Sequence, residues 1–176
     1  MTLDVHYNSH VGPCNLQTWE IMNKDVRTIA IDTSLLKNNV PSHVLCSLSC
    51  KQKRDISKYI VMYLYGGVYT DPNVTCSINL ECLDKNYKVY LGTHIETGGI
   101  FDDNESISSN ILKVCNVWFY SSSPKHPFWK DVFDECLSSV DDDFQDVITR
   151  VYASNKYRDI FKMDYRFTQT SIKSGL

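Results

Sequence analysis

The run Lys53-Arg54-Asp55-Ile56-Ser57-Lys58-Tyr59-Ile60-Val61-Met62-Tyr63-Leu64-Tyr65-Gly66-Gly67-Val68-Tyr69-Thr70-Asp71-Pro72-Asn73 leaves few choices of fold. From about Cys50 to Tyr65, Ile56, Ile60, Tyr63 and Leu64 recur at helical spacing. Gly66-Gly67 stops the helix, because glycine takes the positive φ that closes a helix end. Val68-Tyr69-Thr70 resumes at once as a strand and runs into Asp71-Pro72-Asn73. Asp71 is thus expected at the carboxyl end of a buried strand, and open α/β sheets bind ligands in the crevice outside those ends. Asp55 and Lys58, three residues apart, share a helix face turned away from the apolar positions. Acid, base and Asp71 are expected to converge on one crevice.

The flanking sequence predicts more of the same alternation. Leu3 to Tyr7 reads as a strand, Asn15 as the cap of a helix carrying Leu16, Trp19 and Met22, and Val26 to Ile31 as a second strand ending at Asp32. Asn38-Asn39-Val40-Pro41 marks a turn. Further strands are expected at Tyr87 to Leu91, near Ile95 and at Val117 to Tyr120. A helix follows from Pro127 to Leu137, and another begins near Ser139, where Ser139 and Asp142 resemble a capping box. At 176 residues, with no repeat and no linker, the chain reads as one α/β domain over 1–176.

Charge and composition exclude several classes of function. Eighteen Lys and Arg against 21 Asp and Glu give a net charge of −3, so nothing global draws the protein to nucleic acid or to an anionic membrane. The start lacks a basic segment followed by an apolar run, and no apolar stretch approaches the roughly 18 residues of a membrane span. A soluble, cytoplasmic protein is expected. The seven cysteines follow no framework spacing and read as small hydrophobes or idle thiols in a reducing compartment. His94-Ile95-Glu96 is half of a zinc deaminase signature without its Pro-Cys-x-x-Cys. His43, Cys46 and Cys50 fall short of a closed zinc site, and Lys51-Gln52-Lys53-Arg54 reads as a solvated helix end.

Two features carry chemistry. Asp71 and Asn73, at i and i+2 in a turn, are oxygen ligands suited to a hard divalent cation, although Asp-Pro-Asn is also good turn chemistry in its own right. Glu96 follows a strand and precedes Thr97-Gly98-Gly99, which reads as a flexible loop where a second substrate could enter, and a surface loop acid fits the position equally. A carboxylate there could act as a general base or steady a developing positive charge.

The long stretch resembles the donor-binding signature of sugar-nucleotide glycosyltransferases with a GT-A fold and a DXD motif, the group that includes the family 32 enzymes and the large clostridial glucosylating toxins. Asp55, Tyr59, Tyr65, Gly66, Gly67, Val68, Tyr69 and Asp71 match in register, and Asn116-Val117-Trp118-Phe119-Tyr120-Ser121-Ser122-Ser123-Pro124-Lys125-His126-Pro127-Phe128 keeps a second, weaker pattern. The resemblance implies a Rossmann-like mixed sheet flanked by helices, with a donor half over 1–125 and a C-terminal helical segment over 126–176. It implies that Asp55 and Lys58 hydrogen-bond the donor sugar, that Tyr69 lies near the nucleoside, and that Asn116 lies beside the sugar. Asp71 would lie near ribose and metal, and Asn73 on a Mn²⁺ or Mg²⁺ ion. Lys58 stands where Arg is usual and keeps the charge without the planar fork. Asn73 stands where a second Asp is usual, which removes one negative charge and lowers metal affinity.

The implied activity is transfer of a hexose from a UDP- or GDP-sugar to a hydroxyl of a glycan or glycoprotein, metal-assisted and with retention. Asp71 and Glu96 are the catalytic candidates, Glu96 as general base in an inverting transfer or as the charge that steadies the anomeric carbon in a retaining one. The alternative is a nucleotide-sugar-binding module that keeps the fold and has lost the chemistry. Lys162, Arg166 and Lys173 could meet the phosphates from the C-terminal side, where surface charges are the commoner outcome.

Overall fold

The central helix forms where the spacing places it. In the computed structural model, which describes residues 2–8, 15–32, 34–77, 79–99, 108–154 and 156–164, helix α4 spans Cys50–Leu64. Its start is a capping box: Ser49 Oγ accepts from the Gln52 amide, and the Gln52 side chain accepts from the Ser49 amide. Gln52 also donates to the carbonyls of Val140, at 2.5 Å, and Asp142, at 3.2 Å. Lys51 pairs with Asp143. The segment expected to be a solvated helix end is therefore partly a clasp, because helix capping and a distant loop both need its donors. At the other end, Gly66 (φ 66°) and Gly67 (φ 77°) turn the chain into strand β3, Gly67–Thr70.

Six strands form one mixed sheet in the order β2-β1-β3-β5-β4-β6. Strands β1 (Leu3–Tyr7), β2 (Val26–Ala30) and β3 are parallel, and β5 (Ser108–Ser121) runs against β3 and β4. Strand β4 (Val89–Gly99) carries β6 (Ile160–Asp164) in parallel on its outer edge. Alternate side chains divide the sheet into two cores. Tyr69, Leu91 and Phe119 pack beneath α4, α5 (Pro127–Ser138) and α6 (Phe144–Ala153). Val5, Val68, Tyr90 and Trp118 face the other way, toward α1 (Leu16–Met22) and the chain that follows β3. The α/β fold with a mixed sheet flanked by helices is the one expected.

Several details differ. Two short helices, α2 (Ser34–Asn39) and α3 (Ser42–Ser47), flank the turn read at Asn38-Asn39-Val40-Pro41, which bends at Val40-Pro41 to join them. The strands expected near Tyr87 and Ile95 are one strand, with a register irregularity between Leu91 and Thr93, and β5 is far longer than Val117 to Tyr120. Helix α6 is capped by Asp143, whose carboxylate accepts from the Gln145 amide, and not by a Ser139 box. Among the described residues after 126, two helices are followed by an edge strand, so the segment is not wholly helical. Its first helix opens on His126, whose Nδ1 accepts from the Phe128 amide at 3.3 Å while Nε2 lies 3.1 Å from Asp159. Among the described residues, no helix is long and apolar enough to cross a membrane.

Candidate functional site

Lys58 is the hub of a buried polar cluster at the carboxyl end of β3. Asp55 and Lys58 lie one turn apart on α4 and are 5% and 6% exposed, against the usual tendency of charged side chains to remain in water. The Lys58 ammonium donates to the Asn116 carbonyl at 2.7 Å, lies 3.2 Å from Asp55 Oδ1 and 3.6 Å from Asp71 Oδ1, and sits 5.1 Å from the centre of the Tyr69 ring. Each partner comes from a different element: Asp55 from α4, Asp71 from the end of β3, Asn116 from β5. The expected convergence of acid, base and Asp71 is observed.

The Asp71 side chain is not used to make its own turn. The Val74 amide bonds the Asp71 carbonyl at 3.0 Å, and the Asn15 amide bonds the Pro72 carbonyl at 3.1 Å. The Asn15 side chain, expected to cap α1, instead donates to the Asn73 carbonyl at 2.7 Å and makes no capping bond. Backbone and Asn15 thus hold the Asp-Pro-Asn turn. The Asp71 carboxylate is left to accept the Tyr69 hydroxyl bond and to face Lys58. Asn73 is exposed.

Two charge states follow from burial. Desolvation raises the Asp55 carboxyl above its ordinary value, outweighing the nearby Lys58 ammonium. Burial, with Asp71 adding to it, holds the Tyr69 phenol well above its usual range, so it remains a donor. Because the folded value for Asp55 exceeds the unfolded one, the native state takes up a proton first as pH falls. The ionised form therefore costs stability above the folded value, and that cost disappears below the unfolded one. Urea denaturation should show the stability of Asp55→Asn, relative to the native protein, declining as pH drops from neutral toward about 4. A pH-independent difference would contradict the shift.

Two polar atoms of the cluster have bonding capacity to spare. Asp55 Oδ2 and Asn116 Nδ2 are buried without a partner in the protein. The Tyr59 hydroxyl lies 2.8 Å from Asn116 Oδ1 and 3.0 Å from the Phe144 carbonyl, so its single proton serves two acceptors. Whichever way the amide sits, Asn116 keeps one polar atom for a ligand. An orphaned buried group costs roughly 1–3 kcal/mol, a cost that a ligand bonding there would relieve.

A cleft of about 310 Å³ lies beside the cluster, walled by Asn8, Ile31, Asp32, Lys53, Arg54 and Ser57, with Leu36 and Cys50 completing it. It opens at the carboxyl ends of β1 and β2, and Asn8 links it to the cluster through a 3.4 Å bond to the Tyr69 hydroxyl. Asn8, Arg54 and Asp32 were not singled out by the sequence as site residues. The usable signal was Asp32 directly after a strand.

Glu96 is not part of this cluster. It pairs in register with Ile111, whereas Asp71 is level with Val117, whose carbonyl its amide bonds. Six residues of extended strand separate these levels by about 20 Å. Thr97-Gly98-Gly99, expected as a loop, continues β4. The side chains of His94 and Glu96 lie outside the described residues, as do Arg166 and Lys173, and Lys162 is an exposed residue of β6. Among the described residues, no three His, Cys, Asp or Glu side chains gather as a metal site, which includes His43, Cys46 and Cys50.

Sheet order, flanking helices and a polar crevice at the strand ends define an α/β fold built on one mixed sheet. A solved structure described as PaToxG glycosyltransferase superposes with a TM-score of 0.59 at 12% identity, over 89% of this chain and 70% of that one. At that identity the likeness speaks to the fold. No protein-family model matches the chain, and no curated protein does.

Proposed function

We propose that the chain is a glycosyltransferase that moves a hexose from a UDP- or GDP-sugar to a hydroxyl of a glycan or glycoprotein in the cytoplasm. The observation that carries this reading is the Asp55–Lys58–Asp71–Asn116 cluster with its unpartnered Asp55 Oδ2, placed beside a cleft in the size range of small-ligand sites, roughly 300–1,000 Å³.

The nucleoside enters the 310 Å³ cleft, with Asp32 as an acceptor for a ring N–H and Lys53 and Arg54 toward its phosphates. The sugar lies over the cluster, one hydroxyl donating to Asp55 Oδ2 and another meeting the Asn116 amide. Lys58 holds both carboxylates in place, and Tyr69 orients Asp71 by donating to it. With the donor fixed, the acceptor oxygen bonds to the anomeric carbon as the bond to the diphosphate breaks, and the acceptor proton passes to the departing phosphate. Retention is carried over from the resemblance.

The donor set for a metal is small but chemically suited: one carboxylate and one amide oxygen, hard ligands that leave most positions to phosphate oxygens and water. Asp71 and Asn73 are the residues that would hold Mn²⁺ or Mg²⁺, and the ion would neutralise the leaving diphosphate. With only one charge in the set and Lys58 beside it, cation binding should depend on the nucleotide. Asn73→Asp should tighten Mn²⁺ binding in the presence of UDP or GDP by about tenfold, read by calorimetry. An unchanged affinity would remove Asn73 from the site.

Cys50 gives a direct reporter of the cleft, since it is exposed and lines it. Nucleotide should slow alkylation of Cys50 several-fold while leaving the exposed Cys82 unaffected, as measured by peptide mass spectrometry. Equal rates with and without UDP and GDP would place nucleotide elsewhere. The neutral Asn73 favours one second reading, a degenerate module that binds nucleotide sugar without turnover. Protection of Cys50 without release of nucleoside diphosphate from any donor would select it.

A further inference from the structure

A second cavity, about 390 Å³, lies at the opposite end of the sheet from Asp71. Leu3 at the start of β1, Lys88 just before β4 and Ser122 just after the antiparallel β5 all line it, whereas Asp71 follows the carboxyl end of β3. Its wall is aromatic. Tyr120 and Tyr90 line it in register on neighbouring strands, and Phe161, in register with Tyr90 on the next strand, extends the aromatic row beyond the lining, with ring centres 6.0 Å and 5.3 Å apart. Tyr87 closes over them, 4.9 Å from Phe161 and 6.2 Å from Tyr90. The Tyr90 hydroxyl donates to the Asp84 carbonyl at 2.7 Å, which pins the covering loop to the sheet and fixes the cavity's shape.

The charges around this wall alternate. Lys24, Lys85 and Lys88 line it together with Glu81 and Asp84, and all five are exposed. A phosphate or polyanion site would present one sign, and a groove for an apolar helix would exclude both. Aromatic faces with interleaved donors and acceptors match a neutral ring that is apolar on one side and bears hydroxyls around its edge. We propose that this cavity is a saccharide-binding site, separate from the donor crevice, that holds an uncharged pyranose against Tyr87 and Tyr120. The site does not depend on glycosyl transfer at Asp71; if the chain has that activity, this is where a distal sugar of the acceptor is held.

Amide chemical-shift mapping of the full chain tests it, with methyl α-glucopyranoside, methyl α-mannopyranoside, lactose and chitobiose as probes at up to tens of millimolar. The expected result is saturable shifts at residues 83–90 and 120–122 with at least one probe and a dissociation constant on the order of 1 mM. Asp71→Asn should leave those shifts intact, and Tyr87→Ala should weaken the affinity at least tenfold. Lys37→Gln, exposed on α2 and outside this cavity, is the control for folding and should bind the neutral probe within threefold of the native protein. Absence of shifts with all four probes overturns the proposal, as do shifts confined to the crevice around Asp71. Stronger shifts with glucose 6-phosphate than with any neutral sugar would also overturn it, by making the ligand anionic. Failure of nucleotide binding in the crevice would overturn the function proposed above and leave this site standing.

Discussion

Asp71→Asn should lower turnover of any nucleotide-sugar donor by a hundredfold to a thousandfold, while the protein stays folded. The carboxylate is 29% exposed, and its turn is held by backbone bonds and by Asn15, so the shape of the loop survives the change. Asn keeps a carbonyl oxygen for the Tyr69 hydroxyl. Lys58 retains Asp55 at 3.2 Å and the Asn116 carbonyl at 2.7 Å. What disappears is one negative charge where ribose and metal would be held. Steady-state kinetics with thermal denaturation on the same preparation separates the two effects: turnover falls, and stability changes by no more than about 1 kcal/mol. Turnover within threefold of the native protein would remove Asp71 from the chemistry.

Gly67→Ala should cost about 3–5 kcal/mol, a large part of the roughly 5–15 kcal/mol by which a domain of this kind is stable. A side chain at φ 77° is strained by about 1–2 kcal/mol before any contact is made. The added methyl would also sit 2.5 Å from the Asp4 carbonyl, which is backbone and cannot rotate away. Relief requires β1 to move from β3 where Val5 pairs with Val68, and that shift propagates to Asn8 and Tyr69 at the crevice. Urea denaturation checks the value. A loss below 1 kcal/mol would mean that the sheet yields at this crossing more easily than its register implies.

The heart of the site was legible because its rules are local. A three-residue offset on a helix, two glycines and a strand of four residues fix Asp55, Lys58 and Asp71 relative to one another. Asn116, far along the chain, came only through resemblance, since nothing in spacing brings β5 beside β3. Local rules also explain the misses. Asp141, Asp142 and Asp143 are equivalent as caps in the sequence, and the choice of Asp143 goes with the hold that Gln52 has on the Val140 and Asp142 carbonyls. Strand β6, Ile-Phe-Lys-Met-Asp, has no strong pattern of its own and owes its form to pairing with β4. Asn15 reads as a cap on any propensity scale, yet its amide is taken by the Asn73 carbonyl, a bond that only the folded chain offers. Glu96 looked like a loop acid because Gly98-Gly99 follows it. Pairing across a long hairpin carried it away from the crevice instead.

The central claim is that this crevice turns over a nucleotide sugar. The most direct measurement is release of nucleoside diphosphate from a panel of UDP- and GDP-sugars by the purified protein with Mn²⁺, with Asp71→Asn and Asp55→Asn assayed in parallel. Slow hydrolysis of at least one donor by the native protein, lost in both variants, is the predicted result. No release and no binding of any donor by a folded protein would contradict it.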